Sequence, residues 1–206
     1  METMLINKMG LKKFLRIIFS CIIIVFIGNS VSFAQSLNDY DIPSNDTNSR
    51  DYSFLVSGHF HGSSNNTSGE PARTLLMNLD YINRIRVHFE FLVCLGDLFK
   101  DVKNDIPVYR RLLIDKLKMP LLNAPGNHDL SGTTYEDNFG DTYYYFTYGT
   151  ELFIVLNTEL NDGSITGDQL ELLKNALGNT DTLKNIFIFT HRLIWAENHP
   201  EMEHLF

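Results

Sequence analysis

From residue 52 onward the chain alternates between two kinds of hydrophobic pattern. Short apolar runs at 52–57 (YSFLVS), 89–95 (FEFLVCL), 119–124 (MPLLNA) and 185–189 (NIFIF) have the length and continuity of strands buried on both faces. Between them, residues 71–87 place Leu75, Leu76, Leu79, Ile82 and Ile85 on one helical face. Residues 106–117 repeat that pattern, with Pro107 expected in the first turn, where the missing N–H costs nothing. A further helix is predicted from Thr166 to about Leu177. Residues 143–148 and 151–156 flank Gly149-Thr150 and predict an antiparallel pair. Strands that alternate with helices and then meet a hairpin predict an α/β domain with mixed sheets.

The first 34 residues follow another rule. Lys8, Lys12, Lys13 and Arg16 precede an apolar run over 17–27, which Gly28-Asn29 breaks before Ser32-Phe33-Ala34. A basic, then apolar, then small-residue order predicts a signal peptide over 1–34, cleaved after Ala34, and a periplasmic or extracellular protein. The run is shorter than the roughly 20 residues that span a bilayer, so membrane contact is expected only through an uncleaved leader. Residues 35–51 are polar and unpatterned and read as a linker, which leaves 52–206 as the folded domain.

Charge narrows the partners. The chain carries a formal net charge of -8, and its leader holds four basic residues against one acid, so the remainder is more acidic still. Nucleic acid as a specific partner and an anionic membrane surface are both disfavoured. Of the two cysteines, only Cys94 lies beyond the leader, so no intrachain disulfide is expected and Cys94 reads as a small core residue.

Residues with chemistry recur at one kind of place. His59 and His61, Asp97, Asn127-His128-Asp129 and His191 each follow the C-terminal end of a predicted strand, where α/β sheets build their ligand crevices. Singly, each has an ordinary reading: Gly-Asp after a strand is usually a turn, and a lone histidine is usually a satisfied one. His199 and His204 lie in a polar tail and read as solvent-facing. Together the set offers what two bridged metal ions require: a carboxylate to share, an amide oxygen and several ring nitrogens.

The ordered set His-x-His, Gly96-Asp97, Gly126-Asn127-His128-Asp129 and strand-borne His191 resembles the motifs of calcineurin-like metallophosphoesterases. The stretch 151–177, with its Gln169-x-x-x-Leu173 helix, is similar to the segment that precedes the family's fourth motif. The resemblance spans roughly 52–192. It implies two mixed sheets packed face to face with helices outside, an α/β/β/α sandwich that is incomplete at its C-terminus. It also implies a metal-dependent hydrolase of phosphoric esters, acting on a phosphorylated small molecule or another phosphoester. Two divalent ions, Mn, Fe or Zn, would be its cofactors. In that scheme His61 and Asp97 hold one ion, and Asp97, Asn127 and His191 hold the other. His128 stabilises the transition state or protonates the leaving oxygen, with Asp129 orienting it.

Two departures qualify the resemblance. Where the family's first motif carries Asp-x-His, this chain carries His59-Phe60-His61, so His59 enters the ligand set in place of a carboxylate. No Gly-His-x-His follows His191 before the sequence ends at Phe206, which reads as a truncation ahead of the last ligand motif. Both departures leave an alternative open: a degenerate, catalytically inactive phosphoesterase fold kept for binding.

Overall fold

The computed structural model describes residues 35–42, 52–178 and 180–194. The expected leader over 1–34, the rest of the polar segment over 43–51, and the tail with His199 and His204 lie outside the described residues. Six strands form two sheets among the described residues: β1 (Leu55–Ser57), β2 (Leu92–Cys94) and β3 (Leu121–Asn123), then β4 (Tyr144–Tyr148), β5 (Glu151–Val155) and β6 (Asn185–Phe189). The first sheet is all parallel in the order β1-β2-β3. In the second, β4 pairs antiparallel with β5, and β6 pairs parallel with β5 on its other side. The helices are α1 (Arg73–Ile82), α2 (Val102–Leu112), α3 (Thr134–Phe139) and α4 (Gly167–Leu177).

Side-chain alternation along the central strands builds the layers. On β2, Leu92 and Cys94 face a core shared with Leu79 of α1 and Val102, Ile106 and Tyr109 of α2. Val93 and the preceding Phe91 point the other way, into a core shared with Phe153 and Val155 of β5. On β5, Leu152 and Ile154 face outward onto Leu173 and Ala176 of α4. Helices, sheet, sheet and helix therefore stack in that order, the sandwich that the motifs led one to expect.

Several boundaries differ from the sequence pattern, each for a local reason. The helix expected over 71–87 stops at Ile82 because the Asn83 side chain turns to the 116–118 segment. It donates to the Lys116 carbonyl at 2.8 Å and accepts from Lys118 N–H at 3.0 Å. The helix expected from residue 106 starts at Val102 instead. Asp101 caps it through Lys103 N–H at 3.1 Å, so Pro107 falls inside the helix. A proline there leaves one carbonyl of the preceding turn without its donor, at exposed Lys103. Helix α3 was not anticipated, because only Tyr135 and Phe139, one turn apart, carry its apolar face. The polar segment ahead of the domain is also no passive tether at its start. Leu37 is buried in the first core, its N–H donates to the Leu121 carbonyl at 2.8 Å, and Asn38 donates to Met119 O at the same distance. Cys94 is fully buried and unpaired, and burial pushes its thiol well up. Among the described residues no helix is long and apolar enough to cross a membrane.

Phe153 is the keystone of the inter-sheet core. Its ring stacks on Phe146 at 5.0 Å and on Phe187 at 5.1 Å, and meets Phe54 and Phe91 edge-on. Phe153→Ala is expected to cost about 3–5 kcal/mol of stability. Equilibrium denaturation checks this, and a loss below about 1 kcal/mol would mean the two sheets do not depend on each other through this ring.

Candidate metal centre

The parallel register sets the site. Ser57, Cys94 and Asn123 lie level across β1, β2 and β3, so the residues just past them emerge at one rim of the sheet. His59 and His61 follow β1, Asp97 follows β2, and Asn127-His128 follow β3. In the second sheet Val155 and Phe189 are partners, and His191 emerges two residues past β6. The chain turns sharply at this rim. His59 and Asp97 both take left-handed backbone conformations with φ of 53°, uncommon for residues with a side chain and typical of functional turns.

Asp97 is buried at the centre. His59 Nδ1 lies 3.2 Å and His61 Nε2 3.3 Å from its Oδ2, and His191 Nε2 lies 3.6 Å from its Oδ1. The backbone N–H of His128 donates to the same Oδ1 at 3.3 Å. Burial by itself would raise this carboxyl. His191, the His128 N–H and the His61 ring outweigh it and hold Asp97 below its ordinary value. Gly96 and Gly126 exist for this packing. A Cβ on Gly126 would run into Asp97 Oδ1 and its backbone nitrogen, and one on Gly96 would run into the His191 ring and the Ala124 carbonyl.

The second ring nitrogens decide what the cluster can bind. His191 Nδ1 lies 2.9 Å from the Leu95 carbonyl and His128 Nδ1 lies 2.8 Å from the Lys100 carbonyl. A carbonyl only accepts, so both Nδ1 atoms carry the proton, and in the neutral rings both Nε2 atoms present lone pairs. For His191 that lone pair faces a carboxylate oxygen. Two lone pairs in apposition repel unless a proton or a cation stands between them. A backbone carbonyl that fixes the tautomer in this way is the usual outer partner of a metal-binding histidine. His61 adds a third imidazole whose Nδ1 is buried without a partner among the described residues. Donor atoms converge in two groups that share Asp97: His59, Asp97 and His191, and His61, Asp97 and His128. One shared carboxylate flanked by two sets of ring nitrogens fits two divalent ions.

Six of the expected residues thus share one rim, where His59, His61, His128 and His191 contact Asp97, and two expected details change. Asn127 is exposed beside the cluster and its side chain makes no hydrogen bond among the described residues. Asp129 does not orient the His128 ring. It is fully buried behind the site, where it accepts from Gly126 N–H at 2.9 Å, Phe99 N–H at 3.0 Å and Asn123 Nδ2 at 3.1 Å. Those bonds tie the loop after β2 to the loop after β3, while the Lys100 carbonyl holds His128. Burial raises the Asp129 carboxyl even against these donors. Leu95 and Lys100 act through main-chain oxygens, which no side-chain pattern reveals. Beside the rim, Asn66 fastens the loop over 62–70 by donating to the His61 carbonyl at 2.8 Å and the Glu70 carbonyl at 2.9 Å.

A family model described as calcineurin-like phosphoesterase matches residues 68–205. The matched span includes Asp97, Asn127 to Asp129 and His191, and begins after His59 and His61. No curated protein matches the chain in sequence.

The closeness of Gly126 to Asp97 is directly testable. Gly126→Ala is expected to lower affinity for Mn²⁺ at least tenfold, because the new methyl displaces the shared carboxylate. Equilibrium dialysis with metal analysis reads it, and unchanged affinity would show that the rim has room to spare.

Proposed function

The chain belongs to the calcineurin-like phosphoesterase family, and on that premise we propose that it is a metal-dependent hydrolase of phosphoric esters with a dinuclear site. The observation that carries the proposal is the arrangement of His191, whose Nδ1 proton is committed to the Leu95 carbonyl so that its Nε2 lone pair is left facing Asp97. Asp97 is the residue the two ions would share. His59 and His191 would complete one set and His61 the other, with Asn127 offering its amide oxygen from the exposed side. Held by these residues, two divalent ions, Mn, Fe or Zn, would supply Lewis acidity toward a phosphoryl oxygen and would acidify water.

His128 is assigned the proton. Its ring centroid lies 5.2 Å from that of His61, and the Lys100 carbonyl at Nδ1 orients Nε2 toward the site. A proton on Nε2 would pass to the oxygen of the departing group. His128 also stands within reach of a metal, so its role separates by experiment. The strong apolar leader supports export, and the substrate would then be a phosphoester met outside the cytoplasm.

A second reading rests on His59. An imidazole there, 60% exposed, contributes one negative charge fewer than a carboxylate would, which favours phosphate binding without turnover.

Hydrolysis of a generic aryl phosphate, dependent on added Mn²⁺, Fe²⁺ or Zn²⁺ and abolished by a chelator, is the expected result. Asp97→Asn should lose metal and activity together. His128→Ala should retain metal and lose turnover by roughly 10²–10⁴-fold. Metal lost from the His128 variant would make that residue a ligand, and phosphate binding without hydrolysis in the wild type would establish the second reading.

A further inference from the structure

Next to the metal cluster lies a polar device that none of these roles uses. Arg192 immediately follows His191, and its guanidinium forks onto Glu159, Nε to Oε1 at 2.7 Å and Nη2 to Oε2 at 2.5 Å. Its backbone N–H donates to Thr158 Oγ1 at 3.0 Å, and Thr190 Oγ1 donates to its carbonyl at 2.8 Å. The Glu159 side chain is only 6% exposed while that of Arg192 is 44% exposed. A nearly buried carboxylate with a bidentate partner is a costly arrangement to build for a surface loop, since exposed pairs contribute little.

The Glu159 loop is itself anchored. Asn157 N–H donates to Gln169 Oε1 at 2.7 Å and Gln169 Nε2 donates back to the Asn157 carbonyl at 3.1 Å. Asn157 Oδ1 then accepts from Glu159 N–H at 2.9 Å. Asn157, Thr158 and Gln169 are all buried. A continuous set of hydrogen bonds thus runs from α4 through the end of β5 to the residue after His191.

We propose that Glu159 and Arg192 are a positioning pair that fixes the His191 ring against Asp97, with Gln169 and Asn157 as its anchor. The inference rests on the reading of His191 as a metal-holding residue. Among the described residues the His191 ring has one hydrogen bond, to Leu95 O, and a single bond permits the ring to pivot with its backbone. Clamping Arg192 at both its backbone N–H and its guanidinium removes that freedom one residue away. The pair is neutral as a unit, so it can set geometry without opposing cations at Asp97. Nε and Nη2 are committed to Glu159, which disfavours a direct grip on the substrate phosphate.

Two readouts on the full chain test the pair. Long-range ¹H–¹⁵N correlation in metal-free protein, at a pH where the ring is neutral, reports the His191 tautomer. The Nδ1–H form is expected in the wild type, with mixed tautomers in Glu159→Gln and in Arg192→Gln. Mn²⁺ affinity should fall about 10–100-fold in each, the range for residues that orient a ligand from outside. The double variant should be no weaker than the singles. Arg192→Lys, which keeps the charge without the fork, should recover only part of the loss. Variants that keep both the tautomer and the Mn²⁺ affinity while KM for an aryl phosphate rises would overturn the proposal and make Arg192 a substrate contact. Should the wild type bind no Mn²⁺, the metal reading itself fails, and an undisturbed tautomer in the variants would separately exclude the pair as a positioning device.

Discussion

Asp97 takes a carboxylate out of bulk water at the rim of two packed sheets, a step that is unfavourable unless donors or positive charge meet it there. Its surroundings supply some of both: His191, the His128 N–H and the His61 ring hold the group below its ordinary value. That support depends on the ring's proton: with Nδ1 committed to the Leu95 carbonyl, a neutral His191 brings a lone pair to the carboxylate instead. A cation between Asp97 and these rings would turn that repulsion into coordination. Other features of the rim follow from this requirement, including the glycines at 96 and 126 that let the loops close on one another.

The fold serves the site by aligning strand ends. Three parallel strands of one sheet deliver His59 and His61, Asp97, and His128, while the other sheet delivers His191. Rings from both sheets meet around Phe153, so the distance from His191 to Asp97 is set by an aromatic core as well as by loop geometry. Asp129 performs the corresponding task within the first sheet. Its buried carboxylate ties the backbone at Phe99 to that at Gly126, which keeps the loops bearing Asp97 and His128 in register. A carboxyl whose ionisation is opposed by burial stays in place there because three donors converge on it.

Much of this was legible in the sequence, and the limits have physical causes. Apolar runs of strand length gave all six strands, and the spacing of Leu75, Leu79 and Ile82 gave α1, because core-facing periodicity is written in side chains. Convergence of His59, His61, Asp97, His128 and His191 could be foreseen since all follow strand ends. The tautomers could not, because the Leu95 and Lys100 carbonyls that set them belong to the main chain. The resemblance gave Asp129 the task of orienting His128, whereas the turn at 126–129 sends the carboxylate inward. Gln169 stood out within its helix motif, but its purpose, holding the end of β5, depends on Asn157 being brought beside it by the fold. Where α2 begins was hidden by Pro107, whose preference for a first turn was overridden by the Asp101 cap.

The central claim is that the lone pairs around Asp97 hold two cations that share its carboxylate. A crystal of the protein soaked in Mn²⁺, with diffraction data collected at the metal absorption edge, tests this most directly. Two anomalous peaks roughly 3.5–4 Å apart, one on each side of Asp97, are the predicted result. One would be bounded by His59 and His191, the other by His61. No peak at Asp97, or peaks only at surface carboxylates, would contradict the account.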